Sequence, residues 1–248
     1  MLRRLKTVAG KTTEVFVTVD EVANAHMKEL EALYPVLNVD KARDADEQFK
    51  SFIENVFEKK VVSSVYLTGE GFENNWYPNS LKVLCNGRRA FLGNNLYSKG
   101  ACYTSIRRYL NYNGGPIYLD ETTLTDQISL RMRVNGQEGW YPIVSWGTHW
   151  YEADGQWEVI LEDNSDIEIH IEALVGDELQ VETVCLEGLP ERKDYSLRMQ
   201  IEVIFMDEKT CKLIFKDVGF GEFYPASDFQ MEKVLHLGGI NGQFNSMS

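Results

Sequence analysis

Cysteine is scarce in this sequence, and histidine with it. The four cysteines, Cys85, Cys102, Cys185 and Cys211, stand far apart, so none forms the close pair that a zinc site or a redox motif requires. Two of them fall in apolar strand patterns, which predicts buried free thiols in a reducing, cytoplasmic compartment. The four histidines, His26, His149, His170 and His236, are isolated, and none has the spacing of paired metal ligands. Ser63, Ser64 and Ser145 lack the Gly-x-Ser-x-Gly setting of a serine nucleophile. No apolar run reaches membrane-spanning length, and the basic start Met1–Lys6 is not followed by the apolar segment of a signal peptide. The expectation is therefore a chain without a membrane partner.

Basic charge is missing from the second half. Residues 1–112 hold 16 Lys/Arg against 13 Asp/Glu, whereas residues 113–248 hold 9 against 25. A C-terminal region of net charge −16 repels phosphates, which argues against nucleic acid as a partner. The asymmetry also argues for two units, and the 248-residue length accommodates two ordinary domains. With 44% hydrophobic and 12% aromatic residues, there is material for real cores.

The first half reads as mixed α/β. Thr13–Thr18 is a β-branched run, and Asp20 follows as a candidate helix N-cap. Ala23, Met27, Leu30, Tyr34 and Leu37 then recur at helical spacing, with Pro35 as a break. Asp44 and Glu47 have the spacing of a capping box, and Phe49, Phe52, Ile53, Val56 and Phe57 make an apolar stripe ending at Lys59 and Lys60. The nearly continuous apolar run Val61–Thr68 predicts a strand buried on both faces. It ends at Gly69-Glu70-Gly71-Phe72, where glycines permit a tight turn and close approach of a ligand to the backbone. A short helix near Ser80–Leu84, a loop with Gly87 and Gly93, and a helix over 95–112 complete this half.

Beyond Asn113-Gly114-Gly115-Pro116 the period changes to two. Gln127–Val134, Trp140–Trp146, Gln156–Glu162, Asp166–Ala173, Leu179–Leu186, Leu197–Met206 and Thr210–Lys216 read as strands separated by turn residues, which predicts a sandwich. Three clusters stand out within it. Trp140, Tyr141, Trp146, Trp150, Tyr151 and Trp157 are either sandwich core or an aromatic platform for a sugar or an extended peptide. The carboxylates Glu162, Asp163, Asp166 and Glu168 straddle a turn and read as a solvated hairpin, with acid–base catalysis as the rival. Asp217–Glu222, with Gly219 and Gly221 around Phe220, reads as a bulge or sharp corner that closes the sandwich.

The order of the first half, a helix, a strand, the glycine turn at Gly69–Gly71, a short helix, and a helix with a Gly100-Ala101 step, resembles the end of the second lobe in the actin and DnaK-type ATPase superfamily. In DnaK-type chaperones a peptide-binding β-sandwich follows, and Glu187–Pro190, Leu197–Met206 and Thr210–Asp217 occupy a similar order here. The resemblance implies an α+β protein of several domains. These are a partial ATPase lobe over 1–112, a substrate-binding-type sandwich over 113–237, and a flexible tail over 238–248. It places Gly69, Glu70, Gly71 and Phe72 at an adenosine, with Gly100 packed close by. The chaperone pattern has a basic residue soon after the glycine turn, where this chain has Phe72, Glu73 and Asn74. The first lobe, with its phosphate loop and metal-holding Asp, has no counterpart. The expectation is therefore a C-terminal region that is not catalytic and holds no cofactor alone. ATP or ADP belongs to a longer parent, and the partners are the missing lobe or another protein, together with an extended peptide. Ile143-Val144 would supply an apolar loop tip of the peptide cleft. The alternative is a carbohydrate- or ligand-binding sandwich fused to a small α/β domain.

Overall fold

In a computed structural model, all residues are described except 26–38, 73, 111–114, 163–165, 191, 193–196 and 239–248, together with the side chain of residue 108. The described residues form thirteen strands and three α-helices. They divide into two compact units, Met1–Leu5 with Asp20–Gly115, and Lys6–Val19 with Pro116–Ser248.

The chain starts with β1 (Leu2–Val8) and β2 (Phe16–Ala23), which form a three-stranded sheet with the short β5 (Ile117–Tyr118) in the order β1-β2-β5. β2 and β5 run parallel, with Phe16 opposite Ile117. Asp20 does not cap a helix. It lies within β2, 3.3 Å from Arg4. Ala23 ends that strand, while Met27, Leu30, Tyr34, Pro35 and Leu37 of the expected helix lie outside the described residues.

The first unit is built on α1 (Val39–Phe57), β3 (Ser64–Leu67), α2 (Pro78–Leu84), β4 (Arg89–Leu92) and α3 (Leu96–Leu110). Ala42, Ala45 and Ile53 of α1 pack with Leu67, Trp76, Tyr77 and Leu84, and Phe49, Phe52 and Phe57 extend the cluster. The aromatic stripe thus does what its helical period implies. The capping box does not form, because Asp44 is exposed and already inside α1. Asp46, which is 1% exposed, caps α2 instead. Its Oδ2 accepts from the Asn79 amide and its Oδ1 from the Ser80 amide, both at 2.8 Å. Ser80 Oγ adds a bond of 2.7 Å to Oδ1. A carboxylate on a neighbouring helix satisfies the orphan donors that Tyr77, at the N-cap, leaves open.

The α/β expectation is overturned here. A lobe of the ATPase type needs a helix-covered sheet, but among the described residues β3 pairs only with β4, in a parallel two-stranded sheet. Of its residues only Leu67 is buried, while Tyr66 is exposed and stacks on Phe91. The segment expected to be a loop around Gly87–Gly93 holds β4 itself. An apolar run marks a strand, but which faces are covered depends on neighbours distant in sequence. The chain is mostly β, not an α+β protein with an actin- or DnaK-like second lobe.

The second unit contains the expected sandwich. β6 (Asp126–Val134), β7 (Gln137–Val144), β9 (Asp166–Ala173) and β10 (Leu179–Cys185) form one antiparallel sheet in the order β10-β9-β6-β7. β8 (Gly155–Leu161), β11 (Leu197–Asp207), β12 (Thr210–Asp217) and β13 (Gln230–His236) form the other, in the order β13-β12-β11-β8. Ile128, Leu130, Ile167, Ile169 and Ile171 from the first sheet share one core with Met199, Ile201, Val203, Leu213, Phe215 and Leu235 from the second. Burying each such side chain stabilises the fold by roughly 1.5–3 kcal/mol. The clean alternation along β11 places Met199, Ile201, Val203 and Phe205 inward.

Ile143 and Val144 are not a loop tip. The register shifts between Ile128 and Ser129 so that β7 carries an extra residue, and both side chains are buried. The thiols also differ from expectation. Cys211 is buried, and burial pushes its pKa up to about 12, whereas Cys85, Cys102 and Cys185 are exposed. Among the described residues no helix is long and apolar enough to cross a membrane.

Candidate functional site

The residues around the glycine turn are placed as follows. Gly69 has φ +104°, a left-handed conformation that ends β3. Glu70–Phe72 form one 3-10 turn. Trp76 Nε1 donates to the Gly71 carbonyl at 2.6 Å, and Tyr77 Oη donates to the Phe72 carbonyl at 3.2 Å. Phe72 packs against Phe49, Trp76 and Tyr77 with ring centroids 5.5–6.3 Å apart. These aromatic side chains occupy the turn's carbonyls and its Phe72 face. Gly100 lies on the exposed surface of α3, and a Cβ there would meet nothing. In the first unit the glycine that does require close approach is Gly93, where a Cβ would lie 2.8 Å from Thr68 Cγ2 and 3.3 Å from the Leu67 carbonyl. Only its position after an apolar pair signalled that in the sequence.

α3 itself is unusual. Of its described side chains only Arg107 is half-buried, while Leu96, Tyr97, Tyr103, Ile106, Tyr109 and Leu110 are exposed.

The aromatic residues of the second unit do not form one platform. Trp150 and Trp157 pack against the sandwich core, and Trp146 packs with Phe16, Leu119 and Leu174. Trp140 alone of these tryptophans is exposed. Its indole stacks on the His170 imidazole with centroids 3.2 Å apart and planes 13° apart. Beside it on the outer face, Arg131 binds Glu138 and Glu168.

The acidic hairpin reads as solvated surface. Glu162 pairs with Arg133 at 2.9 Å and Glu168 with Arg131 at 2.8 Å, on sides of exposed strands, and Asp163 lies outside the described residues. No group of three or more His, Cys, Asp or Glu suited to a metal is found among the described residues. A hydroxyl-centred group does occur where the sequence gave no signal. Thr122 Oγ1 lies 2.7 Å from Asp120 Oδ1 and 2.8 Å from His149 Nδ1. Burial raises the Asp120 pKa, but bonds from the Thr122 hydroxyl and amide outweigh it and hold the carboxyl below its ordinary range. The Thr122 hydroxyl gives its one proton to the Asp120 carboxylate, so His149 Nδ1 donates to Thr122 Oγ1, and the group ties the 120–122 turn to the 149 segment.

Asp217 organises the corner at Asp217–Glu222. Its Oδ1 accepts from Arg192 Nη1 and the Gly219 amide, and its Oδ2 from Arg192 Nη2 and the Ser227 amide. Burial raises its pKa, but the Ser227, Gly219 and Arg192 bonds prevail and lower it overall. The expected corner is therefore a polar lock built from residues 192, 217, 219 and 227.

Residues 2–121 match a family described as "Family of unknown function (DUF5716) C-terminal", and residues 123–237 match "Domain of unknown function (DUF8552)". Neither match assigns a chemistry. No curated protein matches the chain.

The remaining open feature is β10, an edge strand. Among the described residues the four edge strands of the sandwich are β10, β7, β13 and β8. β7 carries Pro142 and sits at the register shift, and β13 carries Lys233, both devices that blunt an edge. β10, with the sequence Leu-Gln-Val-Glu-Thr-Val-Cys, has neither lysine nor proline. Leu179 and Val181 are 51% and 53% exposed on its outer face. β8 also lacks both residues, but only Ile160 is exposed among its apolar side chains.

Proposed function

We propose that this chain is a non-catalytic protein-interaction module whose sandwich takes up an extended partner segment along β10. The observation that carries this reading is the β10 edge, free of lysine and proline, with its exposed apolar pair, Leu179 and Val181. An edge strand leaves every other amide and carbonyl unpaired. An added strand satisfies those groups while alternate side chains give selectivity. The scarcity of convergent titratable groups among the described residues fits a binding role. Glu162 and Glu168 of the hairpin are each paired with an arginine, and the buried Asp217 locks a turn. The test is selection of linear peptides from a phage-displayed random library against the full chain, followed by titration. Binding lost in Val181→Lys, with Ile160→Lys unaffected, supports the reading. Selected peptides that bind equally well to Val181→Lys would refute it.

A second reading rests on Trp140. One indole face is covered by His170, and the side chain is 40% exposed beside the Arg131–Glu138–Glu168 group, an arrangement suited to stacking on a sugar ring. Quenching or shift of tryptophan fluorescence by soluble neutral polysaccharides, abolished in Trp140→Ala, would favour it. No response across the series removes it.

A further inference from the structure

We infer that the partner segment taken up by β10 includes the β10 strand of a second copy, so that two sandwiches join edge to edge about a twofold axis at Val181. This rests on the reading of β10 as a pairing edge and adds the identity of one occupant. Outward and inward side chains alternate along β10. Leu179, Val181, Thr183 and Cys185 lie on the outer face, and Val184 is buried in the core. A twofold axis normal to the sheet keeps outer residues opposite outer residues, so it must pass through a residue and not between two.

Side-chain chemistry then selects the register. An axis at Glu182 sets two Glu182 carboxylates against each other, and an axis at Gln180 sets Glu178 against Glu182. Like charges directly opposite are destabilising. An axis at Thr183 sets Glu182 against the buried Val184. An axis at Val181 pairs Val181 with itself, Leu179 with Thr183 and Gln180 with Glu182. Within Leu179–Thr183 each apolar residue then meets an apolar or β-branched neighbour and Glu182 meets an amide donor, while Glu178, just outside the strand, comes opposite Val184. Gln180 Nε2 and Glu182 Oε1 already bond within one copy at 2.8 Å, which shows the pair is chemically matched. Lys233 of β13 holds Glu182 at 2.9 Å, so the carboxylate enters the interface already partly neutralised. The product is a continuous eight-stranded sheet in which β10 is no longer an edge. Because each copy carries a net charge of −13, the remaining long-range force is repulsive, and association strengthens with salt.

The experiment is sedimentation velocity of the full chain from micromolar to several hundred micromolar, at low and high salt. The expected result is a monomer–dimer equilibrium that shifts toward dimer at high salt. It should be abolished by Val181→Lys, which places two ammonium groups on the axis, and unchanged by Ile160→Lys on the edge of the other sheet. Urea midpoints equal to wild type show that both variants fold. In a background with Cys85, Cys102 and Cys185 changed to Ser, Val181→Cys is expected to form a disulfide-linked dimer under mild oxidation, and Ile160→Cys is not. A chain that stays monomeric at every concentration overturns self-pairing, while phage-selected peptide binding at β10 would survive that result. A dimer that persists in Val181→Lys, or that falls apart at high salt, places the interface elsewhere and overturns the inference as well.

Discussion

The Asp217 carboxylate gives the sharpest quantitative test of how the sandwich is held together. It is fully buried, it pairs with an Arg192 guanidinium that is itself only 8% exposed, and it accepts from two backbone amides at 2.8–2.9 Å. Asp217→Ala leaves a buried cation without its partner, which costs about 3–5 kcal/mol. The Gly219 and Ser227 amides lose their acceptor too, at about 1–3 kcal/mol each where water cannot replace it. Arg192 keeps its 2.6 Å bond to the Pro225 carbonyl, which offsets part of this. We expect a net loss of about 5 kcal/mol, a large share of the 5–15 kcal/mol typical of a folded domain. Urea unfolding followed by tryptophan fluorescence reads it as a lower midpoint with an unchanged slope. Adding Arg192→Met removes the stranded charge, so the double variant should be less unstable than the sum of the singles by at least about 2 kcal/mol. The folded pKa of Asp217 is depressed, so its contribution is complete above the ordinary carboxylate value near 4 and fades as pH falls through the lower folded value. A loss under about 1.5 kcal/mol for Asp217→Ala, or strict additivity with Arg192→Met, would refute the reasoning.

Four further outcomes are expected. Gly93→Ala should cost about 1–3 kcal/mol from overpacking against Thr68, whereas Gly100→Ala on the open face of α3 should stabilise by up to about 1 kcal/mol, both read by urea unfolding. Asp46→Ala should cost about 2–3 kcal/mol, because the α2 amides and the buried Ser80 hydroxyl lose their acceptor, while Asp44→Ala should be nearly neutral. Burial first, and Glu178 nearby, raise the Asp126 pKa against the Gly238 amide bond, so Asp126→Asn should be neutral to stabilising at pH 7. That advantage should vanish as pH falls below the ordinary carboxylate value, where both side chains are uncharged, and a pH series of urea midpoints checks it. Calorimetric titration of ATP or ADP with magnesium into this chain should give only heats of dilution, and saturable binding lost on changing Gly71 to a bulky residue would restore the adenosine reading of Gly69–Phe72.

Much of the second unit was legible because a period of two carries its own instruction. Leu197–Met206 alternates so cleanly that a slip of one residue would expose Met199, Ile201, Val203 and Phe205 together. The helical stripe Phe49–Phe57 was legible for the same reason. What failed were readings that needed a partner from far along the chain. The Asp44–Glu47 spacing looked like a cap, yet Asp46 found its donors on α2, 33 and 34 residues away. Val61–Thr68 looked like a strand in the middle of a covered sheet, and only the structure shows that, among the described residues, β4 is its one strand neighbour.

The candidate site divides in the same way. The sequence by itself determined the strand pattern, the turn glycines and the charge asymmetry, since each is local or a sum over residues. Only the tertiary structure decided that β10 lies at an edge, that Trp140 is exposed while Trp150 and Trp157 pack against the core, and that Asp217 closes a corner with Arg192. Strand order and the pairing of buried charges are set by which distant segments cover one another. No periodicity within a single segment encodes that choice.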